Sequence, residues 1–500
     1  MKRIRSYISL LLSILLLLGM SSCLSDLLHK HSATKIEATH ATCLEDGNIA
    51  YWSCSECGKL FSDEGCENEI DLSATVLTNG KHELAFVPQK EAEGHQNGYE
   101  QHWSCVHCEK QFSDEMGTIE VSANDLVLPA PLNIDFIVEI EEGRNPIILQ
   151  ITDPQIIDAA QIRTSDSLAD WQKEKYQTDR AEQLCYQYIR ETVEETHPDL
   201  ILLTGDLIFG QFDDNGTVWT DMVAFMDSLK VPWAPIFGNH EIESKKGVNW
   251  QCQQLKNAKY CLFKQRNLTG NGNYTVGIEQ GGKLTRVFFM LDSNGTGNAS
   301  LTSLMNGHTV KSQGFGEDQI RWYTDLIEQI KAFAPQAKLS FCFHIQLKAF
   351  LDAFAQYGFD SSTGRETDIY IDRLANRAEG DFGHIGWTRG QPWDNDYKVW
   401  NSLKDFGVDS VFVGHEHCNS ASIVYEGIRL QFGQKSSEYD TYNYLLPDGR
   451  IYSKTATGAV PLIGGTVIPL STDGSITTPY IYYCKNAGGS ADWSQWVKNK

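Results

Sequence analysis

The sequence predicts an α/β fold preceded by a small Cys/His-rich repeat region, and three observations carry that prediction. After residue 131, short apolar strands alternate with long amphipathic stretches in strand, helix, strand order. Before it, six of the thirteen cysteines crowd together as Cys43, Cys54, Cys57, Cys66, Cys105 and Cys108, which marks a separate module. Over 500 residues, 41% apolar and 11% aromatic content supplies at least one large core and excludes a disordered chain. The 65 acidic against 42 basic side chains give a formal charge of −23. With no Lys/Arg run to offset it, that balance argues against nucleic acid as a general partner.

Residues 1–22 read as a secretory segment, with Lys2, Arg3 and Arg5 ahead of an apolar run over 8–18 that is too short to span a bilayer. Gly19-Met20-Ser21-Ser22-Cys23 resembles a bacterial lipoprotein processing site, which would make Cys23 a lipidated N-terminus. The alternative is an ordinary cleaved signal that leaves Cys23 free or removes it. Either way the protein is expected outside the cytoplasm, at the cell envelope. No later run is long and apolar enough to cross, so a lipid anchor is the membrane contact expected.

Residues 23–130 contain a tandem duplication at a constant offset of 51. Trp52-Ser53-Cys54-x-x-Cys57-x-Lys59-x-Phe61-Ser62-Asp63-Glu64 recurs as Trp103-Ser104-Cys105-x-x-Cys108-x-Lys110-x-Phe112-Ser113-Asp114-Glu115, and Lys30-His31 recurs as Lys81-His82. A Cys-x-x-Cys turn sets two thiolates on one side of a knuckle, where two more ligands complete a tetrahedral zinc. The candidates are His31 and Cys43 for the first unit, His82 and His95 for the second. Each unit is too short for a core of its own, so a metal or a disulfide is expected. Export favours the disulfide; the retained histidines favour zinc, at one ion per repeat. The unit resembles small Cys/His repeats of bacterial surface proteins, which makes a surface partner or a spacer role the expectation.

From residue 131 to 500 the same arrangement recurs: an apolar strand ending in a group that can bind a metal. The strand 147–152 runs into Asp153-Pro154-Gln155, 200–204 into Gly205-Asp206, and 233–237 into Gly238-Asn239-His240-Glu241. Likewise 339–343 leads to His344, and 410–413 to Gly414-His415-Glu416-His417. Between the first two strands, Ala181, Leu184, Cys185, Tyr188 and Ile189 share one helical face that ends at His197-Pro198. A second helix over 318–333 repeats Ile320, Tyr323, Leu326, Ile327 and Ile330 at helical spacing. Open α/β sheets bind ligands beyond the carboxyl ends of their strands, where all these polar groups emerge. Two carboxylates, three imidazoles and two side-chain amides form a mixed N/O set suited to Mn, Fe, Zn or Mg rather than to copper or iron–sulfur centres.

The series Asp153, Gly205-Asp206, Gly238-Asn239-His240-Glu241, His344 and Gly414-His415-Glu416-His417 resembles the calcineurin-like metallophosphoesterase superfamily over residues 145–440. Phe343-His344-Ile345 and Gln431-Phe432-Gly433-Gln434-Lys435 resemble its branch related to purple acid phosphatases and yeast-type cell-cycle phosphatases. The resemblance implies a four-layer α/β/β/α sandwich and two metal ions bridged by Asp206. Asp153, Gln155 and His417 would complete one metal site, and Asn239, His344 and His415 the other. A bridging hydroxide would attack the phosphoester, and His240, turned by Glu241, would serve the leaving oxygen. Gln155 stands where the family usually has histidine, which implies a weaker or different metal there. Phe209 stands where purple members have tyrosine, so no purple enzyme is expected. His384, Trp387 and Arg389 are candidates for the substrate mouth. The expected function is a phosphoester hydrolase, phosphatase before phosphodiesterase. The alternative is a surface binding protein whose phosphoesterase domain Gln155 has impaired.

Overall fold

The computed structural model describes residues 30–93, 97–128, 130, 132–163, 168–177, 180–295, 303–305, 308–310, 314–360, 362, 368–388, 395–453 and 456–485. The secretory segment with Cys23, and the candidates His95 and Arg389, lie outside the described residues. The chain divides into two compact units, 1–130 and 131–500. Among the described residues no helix is long and apolar enough to cross a membrane.

In the first unit the duplication is structural as well as sequential. Ala33–Ile36, Tyr51–Cys54, Leu60–Phe61 and Glu69–Ile70 pair into one small sheet, and Leu84–Val87, His102–Cys105, Gln111–Phe112 and Glu120–Val121 into its copy. The recurring residues have recurring tasks. Asp63 accepts from the amides of Glu67 and Asn68, and Asp114 from those of Met116, Thr118 and Ile119, closing the same turn in each copy. Phe61 and Phe112 are buried and pack on the rings of His31 and His82, at 4.5 and 4.6 Å between centroids.

The second unit is built on five strands that the apolar runs foretell: β1 (Ile147–Ile151), β2 (Leu200–Thr204), β3 (Trp233–Ile236), β4 (Lys338–Cys342) and β5 (Ser410–Val413). β1, β2 and β3 run parallel and are extended by antiparallel Gly464–Pro469 and then Tyr480–Tyr483. β4 and β5 lie parallel inside a seven-stranded sheet that ends in Ile428–Phe432 and Ser422–Tyr425. Strands covered on both faces read as continuous apolar runs, which is why all five residues of β2 are buried.

Helix α1 (Arg180–Thr196) lays Ala181, Cys185, Tyr188 and Ile189 toward the five-stranded sheet, with Leu184 only partly buried, and stops one residue before His197-Pro198. Helix α2 (Glu317–Phe333) buries all five expected apolar residues, and Tyr323 meets Phe341 of β4 edge-on. The two sheets share one apolar core. Each fully buried Leu, Ile, Val or Phe in it contributes about 1.5–3 kcal/mol.

Two polar ties set the sheets in register at their carboxyl ends. Gln150 of β1 donates to the carbonyl of Val413 at 2.9 Å, and Thr152 bridges to Lys435. At the opposite end, the buried Arg286 donates to both oxygens of Asp409, to Ser340 and Ser410, and to the carbonyl of Gly474. Removing one partner of such a pair leaves a buried charge without its counter-ion. Asp409→Ala is therefore expected to lower the unfolding free energy in urea by about 3 kcal/mol, and Arg286→Met, which removes the charge itself, by clearly less.

Candidate metal centre

Each ligand loop is a sharp exit from a strand, and the backbone is strained where the exit is sharpest. Asp153, Gln155, Asp206 and His415 all take positive φ, at 50, 48, 51 and 76°. Non-glycine residues hold that region only when the surroundings over-determine it, at about 1–3 kcal/mol each. Glycine makes the approach feasible at two points. A Cβ at Gly238 would lie 2.2 Å from Asp206 Oδ1, and one at Gly205 2.5 Å from His344 Nδ1.

The ligand atoms of Asp206, His344 and His415 lie within 4.8 Å of one another, and so do those of Asp153, Asp206 and His417. Asp206 belongs to both groups. Asn239 Oδ1 is 3.2 Å from His344 Nε2, and Gln155 Nε2 is 3.3 Å from Asp206 Oδ2. All seven side chains expected from the sequence therefore converge on one place. They also fit a cation chemically: the set is carboxylate, imidazole and amide, and the buried Oε1 of Gln155 has no hydrogen-bond partner among the described residues.

The electrostatics follow from burial. Burial opposes ionisation of Asp206, but the neighbouring His344 and His240 overcome it and hold the carboxyl well below its ordinary range. Burial works against the charged form of His344 too, yet Asp206 raises it to about 10, while desolvation and the neighbouring His344 push the half-buried His415 down to about 3. The rings cannot all carry protons at this spacing.

Residues outside the expected set orient it. His344 Nδ1 donates to the carbonyl of Thr204 at 2.8 Å, which turns Nε2 toward the ligand cluster. His417 Nδ1 is 3.3 Å from Asp440, and its Nε2 is 3.5 Å from Asp153. Lys435, fully buried, donates to the carbonyl of Asp153 at 2.7 Å. Thr152 Oγ1 donates to Asp153 Oδ2 at 2.7 Å. Asp440 and Thr152 carry no motif that would single them out in a sequence.

Three expectations need correction. Glu241 does not turn His240. Its carboxylate accepts from the amides of Leu207 and Gly238, at 2.6 and 2.7 Å, and so ties the β2 and β3 exits together. The partner of His240 is Glu243, whose Oε2 is 2.8 Å from Nδ1, while Phe209 packs on the ring at 4.2 Å between centroids. His384 does not line a mouth. It is wholly buried, with Nδ1 on the carbonyl of Cys418 and Nε2 3.2 Å from Asp368. In the first unit, Cys43 lies not with His31, Cys54 and Cys57 but with His82, Cys105 and Cys108.

Residues 147–419 match the calcineurin-like phosphoesterase family, and the chain belongs to it. It is thus one of a family of metal-dependent enzymes acting on phosphoesters. Among relatives, the phosphatase DCR2 of Saccharomyces cerevisiae is 30% identical over 21% of this chain and 19% of its own length. The probable inactive purple acid phosphatase 29 of Arabidopsis thaliana is 28% identical over 49% of this chain and 61% of its own. The chain thus spans about a fifth and three fifths of the length of these two curated relatives. A crystal structure of a dimetal phosphatase from Danio rerio aligns with 68% of this chain and 98% of its own, at 12% identity and a TM-score of 0.36.

The two glutamates should separate cleanly. Glu241→Ala strands two buried amides, each costing about 1–3 kcal/mol, and is expected to lower the melting temperature and metal uptake together. Glu243→Gln is expected to leave metal content, measured by elemental analysis, unchanged while turnover of a chromogenic phosphate ester falls about tenfold to a hundredfold.

Proposed function

We propose that this protein is an exported phosphatase that works with two divalent ions sharing Asp206, and that it is held at the cell envelope by a lipid on Cys23. The observation that carries the catalytic reading is the membership of one buried carboxylate in two ligand groups. Asp153, Gln155 and His417 would hold one ion with Asp206; Asn239, His344 and His415 would hold the other. When bound, such a pair acidifies a water at neutral pH and polarises phosphoryl oxygens.

The chain's own residues supply the rest. His240 is 17% exposed, against 10% for His417 and 0% for His344, and Glu243 occupies its Nδ1. Nε2, 4.0 Å from Asp206 Oδ2, is the nitrogen left to hold a proton for the departing alkoxide. Phe209 against the ring fixes its plane and leaves no phenolate to colour an iron. A monoester is the preferred substrate, in keeping with the phosphatase names of both relatives.

The rival reading, a surface binding protein with an impaired phosphoesterase domain, draws on Gln155 and on the word inactive in one relative's name. Two features speak for activity instead. The Gln155 carboxamide oxygen is left without a hydrogen-bond donor among the described residues, and His240 keeps a carboxylate of its own.

The purified full chain is expected to bind two Mn²⁺ at this centre and to hydrolyse a chromogenic phosphate monoester. Asp206→Asn should reduce the centre to one ion at most. His240→Gln should keep both ions and lose about a hundredfold to ten-thousandfold in turnover. Absence of any His240-dependent turnover with added divalent metal would hand the case to the binder. For the anchor, labelled palmitate fed to the expressing bacterium is expected to enter the chain and to be lost in Cys23→Ser.

A further inference from the structure

The two repeats carry the same three-ligand half-site. In the first, the ligand atoms of His31, Cys54 and Cys57 lie within 4.8 Å of one another, with Cys57 Sγ 3.5 Å from His31 Nδ1. In the second, His82, Cys105 and Cys108 do the same, with Cys108 Sγ 3.5 Å from His82 Nδ1. Among the described residues only the second group has a fourth ligand, and it comes from the preceding repeat: Cys43 Sγ is 3.5 Å from Cys105 Sγ.

That distance decides between the two chemistries open to clustered cysteines. A disulfide needs about 2.05 Å between sulfurs, and Cys43, Cys105 and Cys108 are unbridged. Zinc bonds of about 2.3 Å to sulfur and 2.0–2.1 Å to nitrogen, on tetrahedral corners, place sulfurs about 3.8 Å apart and sulfur and nitrogen about 3.5 Å apart. The observed sulfur–nitrogen spacing is that of the corners of a zinc tetrahedron, and the sulfur–sulfur spacing falls within about 0.3 Å of it. We propose that Cys43, His82, Cys105 and Cys108 hold one structural zinc ion that staples the first repeat to the second.

The local fold delivers Cys43 to this place. The chain entering the second repeat hydrogen-bonds to the Cys43 loop, through the Gly80 amide to the Thr42 carbonyl at 2.8 Å and the Asn79 amide to Asp46 at 2.6 Å. At the 51-residue offset Cys43 corresponds to Gly94, so the second repeat does not reproduce this ligand. The staple is therefore a link from one repeat to the next, not a feature of each.

Charge is also provided for. On binding, three thiols release three protons, and the Cys3His complex keeps one negative charge. The amides of His107 and Cys108 donate to the Cys105 sulfur, which favours its ionised form. This site shares no ligand with the Asp206 centre, so either can fail without the other.

The test uses the full chain. Zinc is expected to slow alkylation of Cys43, Cys105 and Cys108 together by about tenfold or more, as mapped by mass spectrometry with and without a chelator. Co²⁺ in place of zinc should give thiolate-to-cobalt charge-transfer absorption, which an N/O centre does not produce. Cys43→Ser should weaken the tightest Co²⁺ binding read in that band by about tenfold or more, and Cys57→Ser should leave it in place. If Cys57→Ser disturbs folding, the alkylation pattern of the natural sequence still decides. Equal alkylation of Cys43 with and without zinc, a band indifferent to Cys43→Ser, or a Cys43–Cys105 disulfide recovered from zinc-free native protein would each overturn the proposal.

Discussion

A carboxylate that is almost fully enclosed and still ionised is the constraint on which the second unit turns. Asp206 is 1% exposed, and an ion so placed is tolerable only among positive charges or strong donors. The protein gathers them from both sheets: the amide of His240 at 3.0 Å, His344 Nε2 at 3.1 Å and His240 Nε2 at 4.0 Å. The opposed displacements of His344 and His415 show what happens when protons alone must answer this demand. One ring is pushed up to about 10 and its neighbour down to about 3. Divalent ions satisfy the same field without asking adjacent imidazoles to be cations together.

Holding that field still takes a rigid frame. Asp153, Gln155, Asp206 and His415 sit on turns with positive φ, and the opposing force comes from the strands behind them, whose apolar residues pack in one continuous core. Gln150 and Lys435 then fix one sheet against the other within a few residues of Asp153. Glu241 does the same between the exits of β2 and β3. The centre is thus assembled from loops, yet its precision comes from strand ends and from three buried polar ties.

What the sequence makes legible is what is local. Each of the five strands is a short apolar run with its ligand directly after it, so pattern and chemistry sit side by side and converge in the fold. The partners of those ligands are distant in sequence or differ only in direction. Asp440 follows His417 by more than twenty residues and carries no motif. Glu241 is adjacent to His240 in the chain and Glu243 lies three residues on, yet the short 3-10 turn at 241–243 brings the farther carboxylate to the ring and points the nearer one back to the strand exits. His384 stands in a Gly-rich stretch that reads as surface, but its strand, His384–Ile385, pairs with Ile369–Tyr370 and draws it inside. A repeat reads as self-contained, which assigns Cys43 to its own unit, whereas the fold gives it to the next.

The two clusters answer different physical needs, and their ligands differ accordingly. The second unit has a core large enough to fold on apolar burial, so its hard N/O set is free to serve chemistry. The repeats bury little: Phe61 and Phe112 are enclosed, whereas Leu44, Leu72, Phe86, Met116 and Ile119 stay exposed, from 53 to 71%. Sheets of two- and four-residue strands with so small an apolar interior gain little from burial. A soft Cys3His set that closes only when both repeats are folded supplies the missing term as metal-binding free energy, which in such modules is folding free energy. On that account the duplication itself has a physical reason: a single copy offers three ligands in its half-site, and a neighbour brings the fourth.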